Sequence, residues 1–300
     1  KSIPRVASIV FLLIIIIEYF FQFLNQKYYL NLIFISSYLF LIVGLFEDVF
    51  KNIRPLYRFI IIFIFTIFFV IFFKLKIHFT NSFFNHDIFL IIFTILCLAI
   101  IINGFNFIDG LNGLLIIYSI IVSLILIYFS LIQNDYNQFI ELSLFTVVLV
   151  SLLIFNFPYA RIYLGDGGAY FSAFFLGYQS IITYNNNNLI SPFFIAVLFF
   201  YPATEVFFSI LRRILLKTSI SQPDKLHIHH YLQEYIHNKY NFKNYETSNY
   251  LSSIIILSVI SLSFFISLIN YSSNIVNIFI LLTLLIVYLI INVFFKKTFK

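Results

Sequence analysis

The sequence predicts an all-α, polytopic integral membrane protein, and two observations predict it. Composition is the first: 62% of the residues are hydrophobic, 21% aromatic and only 10% charged, against roughly 25% charged in soluble domains. Arrangement is the second. Apolar runs can be marked at about 6–24, 28–46, 57–73, 88–104, 111–132, 139–157, 169–183, 189–211, 250–270 and 274–295, several of them near the roughly 20 residues needed to span a bilayer. These runs predict about ten transmembrane helices. The chain has no Met and opens on charged KSIPR, so a missing N-terminal helix is expected, which would make eleven.

Taken in order, the runs differ in what lies at their ends. The second leads into GLFEDVFKNIRPLYR, residues 44–58, where Glu47 and Asp48 sit at a membrane exit and Lys51, Arg54 and Arg58 follow. Adjacent acids beside bases can bind a metal, act as a base, or neutralise one another as an ordinary loop network. The fourth run meets water in NGFNFIDGLNG, residues 103–113. Here Asn103, Asn106, Asp109 and Asn112 recur every three residues, so on a helix Asn106 and Asp109 would be face neighbours. A carboxylate, carboxamides and glycine-exposed backbone suit a metal-bound phosphate, because hard cations take oxygen ligands; the alternative is a capped helix end followed by a turn.

The seventh run opens with YLGDGGAY, residues 163–170. Asp166 among glycines is either an N-cap or an anion- or metal-binding turn at a helix N-terminus. The seventh run is short for a span. The eighth carries Pro192 and Pro202, so a break or tilt is expected in one or both. Glu205 also lies in the eighth, where a charge must face protein or water. After it comes the one sizeable polar insertion, about 217–249, in which QPDKLHIHHYLQEYIH reads as a short amphipathic helix entered after Pro223. Three of the six histidines, His227, His229 and His230, fall within four residues. With no Cys nearby, imidazole bonding to a diphosphate or sugar fits better than a zinc cage.

Orientation follows from the charges. With ten spans, every Lys and Arg except Lys27, Lys74 and Lys76 falls on one side. The positive-inside rule makes that side, and both termini, cytoplasmic. An odd number of spans would scramble this partition. Glu47-Asp48, the 103–113 loop, the Gly-Asp-Gly-Gly turn and the histidines then share the cytoplasmic face. The net charge of +6 is topogenic bias plus attraction to anionic lipid, which argues against nucleic acid as a partner. The single Cys97 excludes an intrachain disulfide and any Cys-based zinc site.

These residues, in this order and on this side, resemble the polyprenyl-phosphate N-acetylhexosamine-1-phosphate transferase family, the glycosyltransferase family 4 enzymes similar to undecaprenyl-phosphate GlcNAc-1-phosphate transferase. The resemblance runs from about Lys1 to His230. Glu47-Asp48 match the family's acidic pair, usually Asp-Asp, and Lys51 its following base. Asn106, Asp109 and Asn112 match its Asn-x-x-Asp-Gly-x-Asp-Gly loop, Asp166 its Gly-Asp turn, and His227, His229 and His230 its His-x-His-His motif. This sequence departs from the pattern with Glu at 47, Asn at 112, and Val6-Ala7-Ser8 where two glycines are usual.

The resemblance implies one membrane catalytic domain over 1–300, including the cytosolic His-containing loop of about 217–249. It implies transfer of an N-acetylhexosamine-1-phosphate from a UDP-sugar to polyprenyl phosphate with release of UMP, initiating a lipid-linked O-antigen, capsule or wall polymer. Glu47, Asp48, Lys51 and Asp109 are the expected catalytic residues. Asn112, Arg212, Arg213, His227, His229 and His230 are the expected substrate contacts, and Asn106, Asp109 and Asp166 are expected to hold Mg²⁺, with Mn²⁺ as the alternative. The expected setting is a bacterial plasma membrane with the site on the cytoplasmic side, with a homodimer as a candidate assembly. Two rivals remain: a transporter, for which only Glu205 offers a mid-membrane charge, and an inactive relative serving as a scaffold.

Overall fold

The computed structural model describes residues 4–5, 9–11, 13, 16, 32–50, 55–78, 86–215, 217 and 227–298. The first apolar run lies almost wholly outside the described residues, as do Lys51, Arg54 and Pro223. The described residues form α1 (Leu32–Phe50), α2 (Pro55–Phe72), α3 (Asp87–Ile108), α4 (Leu114–Ile132), α5 (Tyr136–Asn156), α6 (Gly165–Asn185), α7 (Pro192–Leu198), α8 (Phe200–Leu215), α9 (Ile228–Tyr240), α10 (Tyr245–Ile269) and α11 (Asn274–Thr298). No strand occurs among them. α3, α4, α5, α10 and α11 are each long and apolar enough to cross a membrane, and the bent pair α7 and α8 passes the same test together, as a broken span or a re-entrant loop. This is a multi-pass membrane protein.

The bundle is built around α6, whose side chains are buried along nearly its whole length. It packs against α1, α3, α4 and α5. Aromatic rings fill the contacts: Phe40 of α1 stacks on Phe174 at 4.4 Å between centroids, Tyr38 meets Phe171 at 4.5 Å, and Phe145 of α5 meets Phe175 at 4.7 Å. Between helices that lipid cannot hydrate, such packing is the main cohesive force, with buried amides as supplements. Gln138 of α5 donates to Gln179 Oε1 and to Thr183 Oγ1, both at 3.0 Å, and Gln179 donates to Glu141 Oε2 at 2.7 Å.

The seventh run is not broken: α6 is continuous over 21 residues. The break expected from the prolines falls in the eighth run, where α7 and α8 meet at 73°. Neither proline sits at the bend. Pro192 opens α7 behind the Ser191 cap, and Pro202 lies in the first turn of α8, where a missing N–H leaves no bond unmade. The bend falls at Phe199. α9 begins at Ile228 with His227 as its N-cap; Pro223 and the residues up to 226 lie outside the described residues.

Candidate functional site

Two clusters of polar side chains meet at one end of the bundle, joined by the loop after α3. The first is acidic. Gly44 of α1 lies against the α6 backbone at Asp166 and Gly167, where any β-carbon would collide. This close approach brings the last turn of α1 to the N-terminus of α6. That terminus has no side-chain cap of its own; Asp48 supplies one from another helix, with Oδ2 accepting from Gly167 N–H at 3.3 Å. Its carboxylate thus meets free amides and the positive end of the helix dipole. Gly165 has φ +76°, and a β-carbon there would strike the Asp48 carboxylate, so both its conformation and its neighbour require glycine.

Glu47 and Asp166 are drawn together by Arg58 of α2, whose Nη1 donates to Glu47 and, at 2.8 Å, to Asp166 Oδ2. Asp109, just past the end of α3, is the fourth carboxylate. Burial, aided by the charges of Asp166 and Asp48, pushes its carboxyl well above the ordinary range, against the pull of Arg5 and the Gly165 amide. Arg5 Nη1 stands 3.7 Å from Asp48 Oδ1. Four acids therefore face two guanidinium groups among the described residues, and Glu47 Oε2 and Asp48 Oδ1 are buried with no hydrogen-bond donor.

The second cluster is histidine. His227 and His229 stack with rings 5.4 Å apart and 5° from parallel, and His229 and His230 lie 4.3 Å apart. His227 packs on Phe107 of α3 at 5.1 Å. A β-carbon at Gly110 would lie 2.6 Å from His229 Nε2 and 2.9 Å from His230, so the glycine after Asp109 is what admits the imidazoles. Asp109 thus borders the acids while Gly110 borders the histidines. Behind them, α8 supplies Glu205, whose Oε2 accepts from His227 Nδ1 at 2.8 Å, and Tyr201, whose hydroxyl lies 3.2 Å from His229 Nδ1.

The residues expected from sequence distribute as follows. Glu47, Asp48, Asp109 and Asp166 converge. Asn106 lies in the last turn of α3, three residues before Asp109. His227, His229 and His230 abut the same loop. Lys51 lies outside the described residues. Asn112 lies further along the same loop. α3 ends at Ile108, so the three-residue recurrence does not continue as a helical face beyond Asp109. The Asn112 side chain is buried and donates to Pro158 O at 2.9 Å, while its N–H donates to Asn249 Oδ1 at 2.7 Å; it locks the loop. Arg212 and Arg213 share the last turn of α8. Arg212 is buried, and Tyr288 lies near both it and Glu205, the partner of His227. Sequence reasoning did not single out Arg5, Arg58, Tyr201 or Glu205 as site residues. A charge inside an apolar run was the signal available for Glu205, and Tyr201 had only its position four residues earlier on the same helical face.

For a divalent cation, the donors brought together are carboxylate oxygens, and Glu47 Oε2 and Asp48 Oδ1 beside Asp166 are buried acceptors without a donor, a set that suits Mg²⁺. Among the described residues no three His, Cys, Asp or Glu are arranged to enclose an ion by themselves. That fits a cation taking only one or two carboxylates and completing its shell with water and substrate phosphate, as Mg²⁺ does.

Residues 30–184, just over half of the chain, match the family model described as Glycosyl transferase family 4. A Bacillus subtilis (strain 168) protein named "Probable undecaprenyl-phosphate N-acetylglucosaminyl 1-phosphate transferase" is 35% identical over 146 residues, covering 47% of this chain and 40% of that protein. The decaprenyl-phosphate N-acetylglucosaminephosphotransferase of Mycolicibacterium smegmatis is 32% identical, covering 49% and 41%. The phospho-N-acetylmuramoyl-pentapeptide-transferase of Dictyoglomus turgidum is 31% identical over 192 residues, covering 60% and 59%. The matched parts thus span about 40 to 59% of these relatives' lengths. The family match contains all four acids of the first cluster and stops before the histidines, which the fold returns to the same loop. With the acidic pair of α1, the Asp109 loop and the Gly-Asp turn of α6 all inside the matched stretch and assembled in space, the chain belongs to glycosyl transferase family 4.

Proposed function

We propose that the protein transfers an N-acetylhexosamine-1-phosphate from a UDP-sugar to a polyprenyl phosphate, releasing UMP, at the cytoplasmic face of a bacterial plasma membrane. The observation that carries this reading is the meeting of four carboxylates, Arg58 and three histidines at one end of a membrane bundle. A lipid acceptor calls for the membrane body, a soluble nucleotide-sugar for an aqueous face, and a diphosphate for a cation and basic side chains. In the reaction an oxygen of the lipid phosphate attacks the sugar-bearing phosphorus. The P–O bond to UMP breaks as the new P–O bond forms, and UMP leaves with the electron pair.

Asp166 and Asp109, with Asn106, would hold Mg²⁺, which would supply positive charge against the phosphates of the transfer. His227, His229 and His230 bind the diphosphate or sugar of the donor. A phosphate monoester has a second pKa near about 6, so the acceptor is mostly dianionic at pH 7 and gains little from a general base. Asp48 therefore works by holding the α6 N-terminus in place, which agrees with its capping contact, and Lys51 and Arg58 supply positive charge where two phosphates meet.

The test is purified protein with polyprenyl phosphate, Mg²⁺ and a panel of radiolabelled UDP-sugars. Transfer of label to lipid with matching release of UMP is the expected result. Binding of uridine nucleotide without transfer to lipid by the full-length protein would favour the scaffold reading instead.

A further inference from the structure

Glu205 is a carboxylate with 0 % exposure, and both of its oxygens are taken by one short segment. Oε2 accepts from His227 Nδ1 at 2.8 Å, and Oε1 accepts from Ile228 N–H at 3.3 Å. His227 is the N-cap of α9 but makes no side-chain cap. Glu205 does that work from α8, placing negative charge at a helix start where amides and dipole favour it. One turn earlier on the same face of α8, Tyr201 meets His229 Nδ1. Two contacts four residues apart on α8 therefore hold two imidazoles, which lie parallel to each other. An imidazole engaged at Nδ1 offers Nε2 to a ligand. His229 Nε2 is buried without a partner and faces Gly110.

We propose that Glu205 and Tyr201 are positioning residues, a two-point clamp on α8 that turns the Nδ1 atoms of His227 and His229 away from the substrate and their Nε2 atoms toward the diphosphate of the nucleotide-sugar. The clamp sets affinity for the donor and leaves the transfer step to the acids. It rests on the reading of the histidines as donor contacts.

Glu205→Gln keeps the shape and one acceptor but removes the charge. Its expected effect is a rise of about tenfold in KM for the UDP-sugar, with kcat and the KM for lipid phosphate within about threefold. Glu205→Asp should recover part of the loss. Tyr201→Phe, which removes a single hydroxyl, should shift the same constant by a smaller factor. The ¹⁵N signals of His227, assigned with a His227→Gln control, should change on Glu205→Gln while the unfolding temperature stays put. Wild-type KM together with unchanged His227 signals would overturn the clamp. So would a loss shared equally by kcat and both KM values and accompanied by a lower unfolding temperature. Should the wild type transfer no UDP-sugar at all, the functional reading fails on its own, and the ¹⁵N signals still decide the clamp.

Discussion

The acidic and histidine clusters border the same loop but are held by different means. The acids stand on helices of the bundle that touch backbone to backbone: Gly44 against Gly167, with Asp48 capping α6. The histidines stand on a polar helix outside the membrane spans and are held by side chains reaching from α8. Close packing is unforgiving, whereas a hydrogen-bonded clamp can relax. The difference teaches where each kind of work belongs. In the proposed reaction, phosphorus would have to be positioned to a fraction of an ångström, which a packed junction can do. A donor would have to enter and its UMP leave, which suits a mounting of hydrogen bonds.

Asp166→Asn is the strongest way to break this comparison. Turnover should fall on the order of 10³-fold while yield and unfolding temperature stay unchanged. Normal turnover at ordinary Mg²⁺ would take Asp166, and with it the acidic cluster, out of the chemistry. A pair of glycine substitutions sharpens the contrast in rigidity. Gly44→Ala forces a methyl into the α6 backbone and should lower stability by about 1–3 kcal/mol. Gly110→Ala meets imidazole side chains rather than backbone and should cost less stability than Gly44→Ala while weakening donor binding. Equal losses of unfolding temperature in the two variants would erase the distinction.

His230→Ala addresses the division of labour. It should raise KM for the UDP-sugar about tenfold with kcat little changed; a loss confined to affinity for the lipid phosphate would exchange the roles of the two clusters. The smallest expected effect is on pH. Burial, with His230 and His227 as positive neighbours when protonated, holds the His229 imidazole well below its ordinary range. The folded protein therefore keeps His229 neutral while the unfolded chain takes up a proton below about pH 6.5. Stability from this group is complete above that pH and is lost as pH falls beneath it. The raised Asp109 carboxyl acts in the opposite sense, so the His229 contribution is read as a difference: between pH 7.5 and 5.5 the wild type should lose more unfolding temperature, or gain less, than His229→Gln.

Much of this was legible in the chain. Runs of Phe, Ile and Leu without charges can satisfy their backbone in lipid only as helices, so local composition by itself determined an all-α membrane bundle. The acids, Asp109, Asp166 and the histidine triplet were readable because charged and polar residues at the edges of apolar runs stand out. What Asn112 holds was not legible: a three-residue recurrence does not show that the helix stops at Ile108, or that the Asn112 side chain donates to Pro158 O across the loop. Which oxygen caps which helix, and which charges share a site, depends on contacts across more than a hundred residues, such as Asp48 with Gly167 and Arg58 with Asp166. No local pattern encodes such pairings. Glu205 shows the limit most plainly, since in sequence it is only a charge that must be satisfied somewhere. The partner, His227, is chosen by the 73° bend between α7 and α8 and by the return of α9 against α8, and both arise from packing in three dimensions.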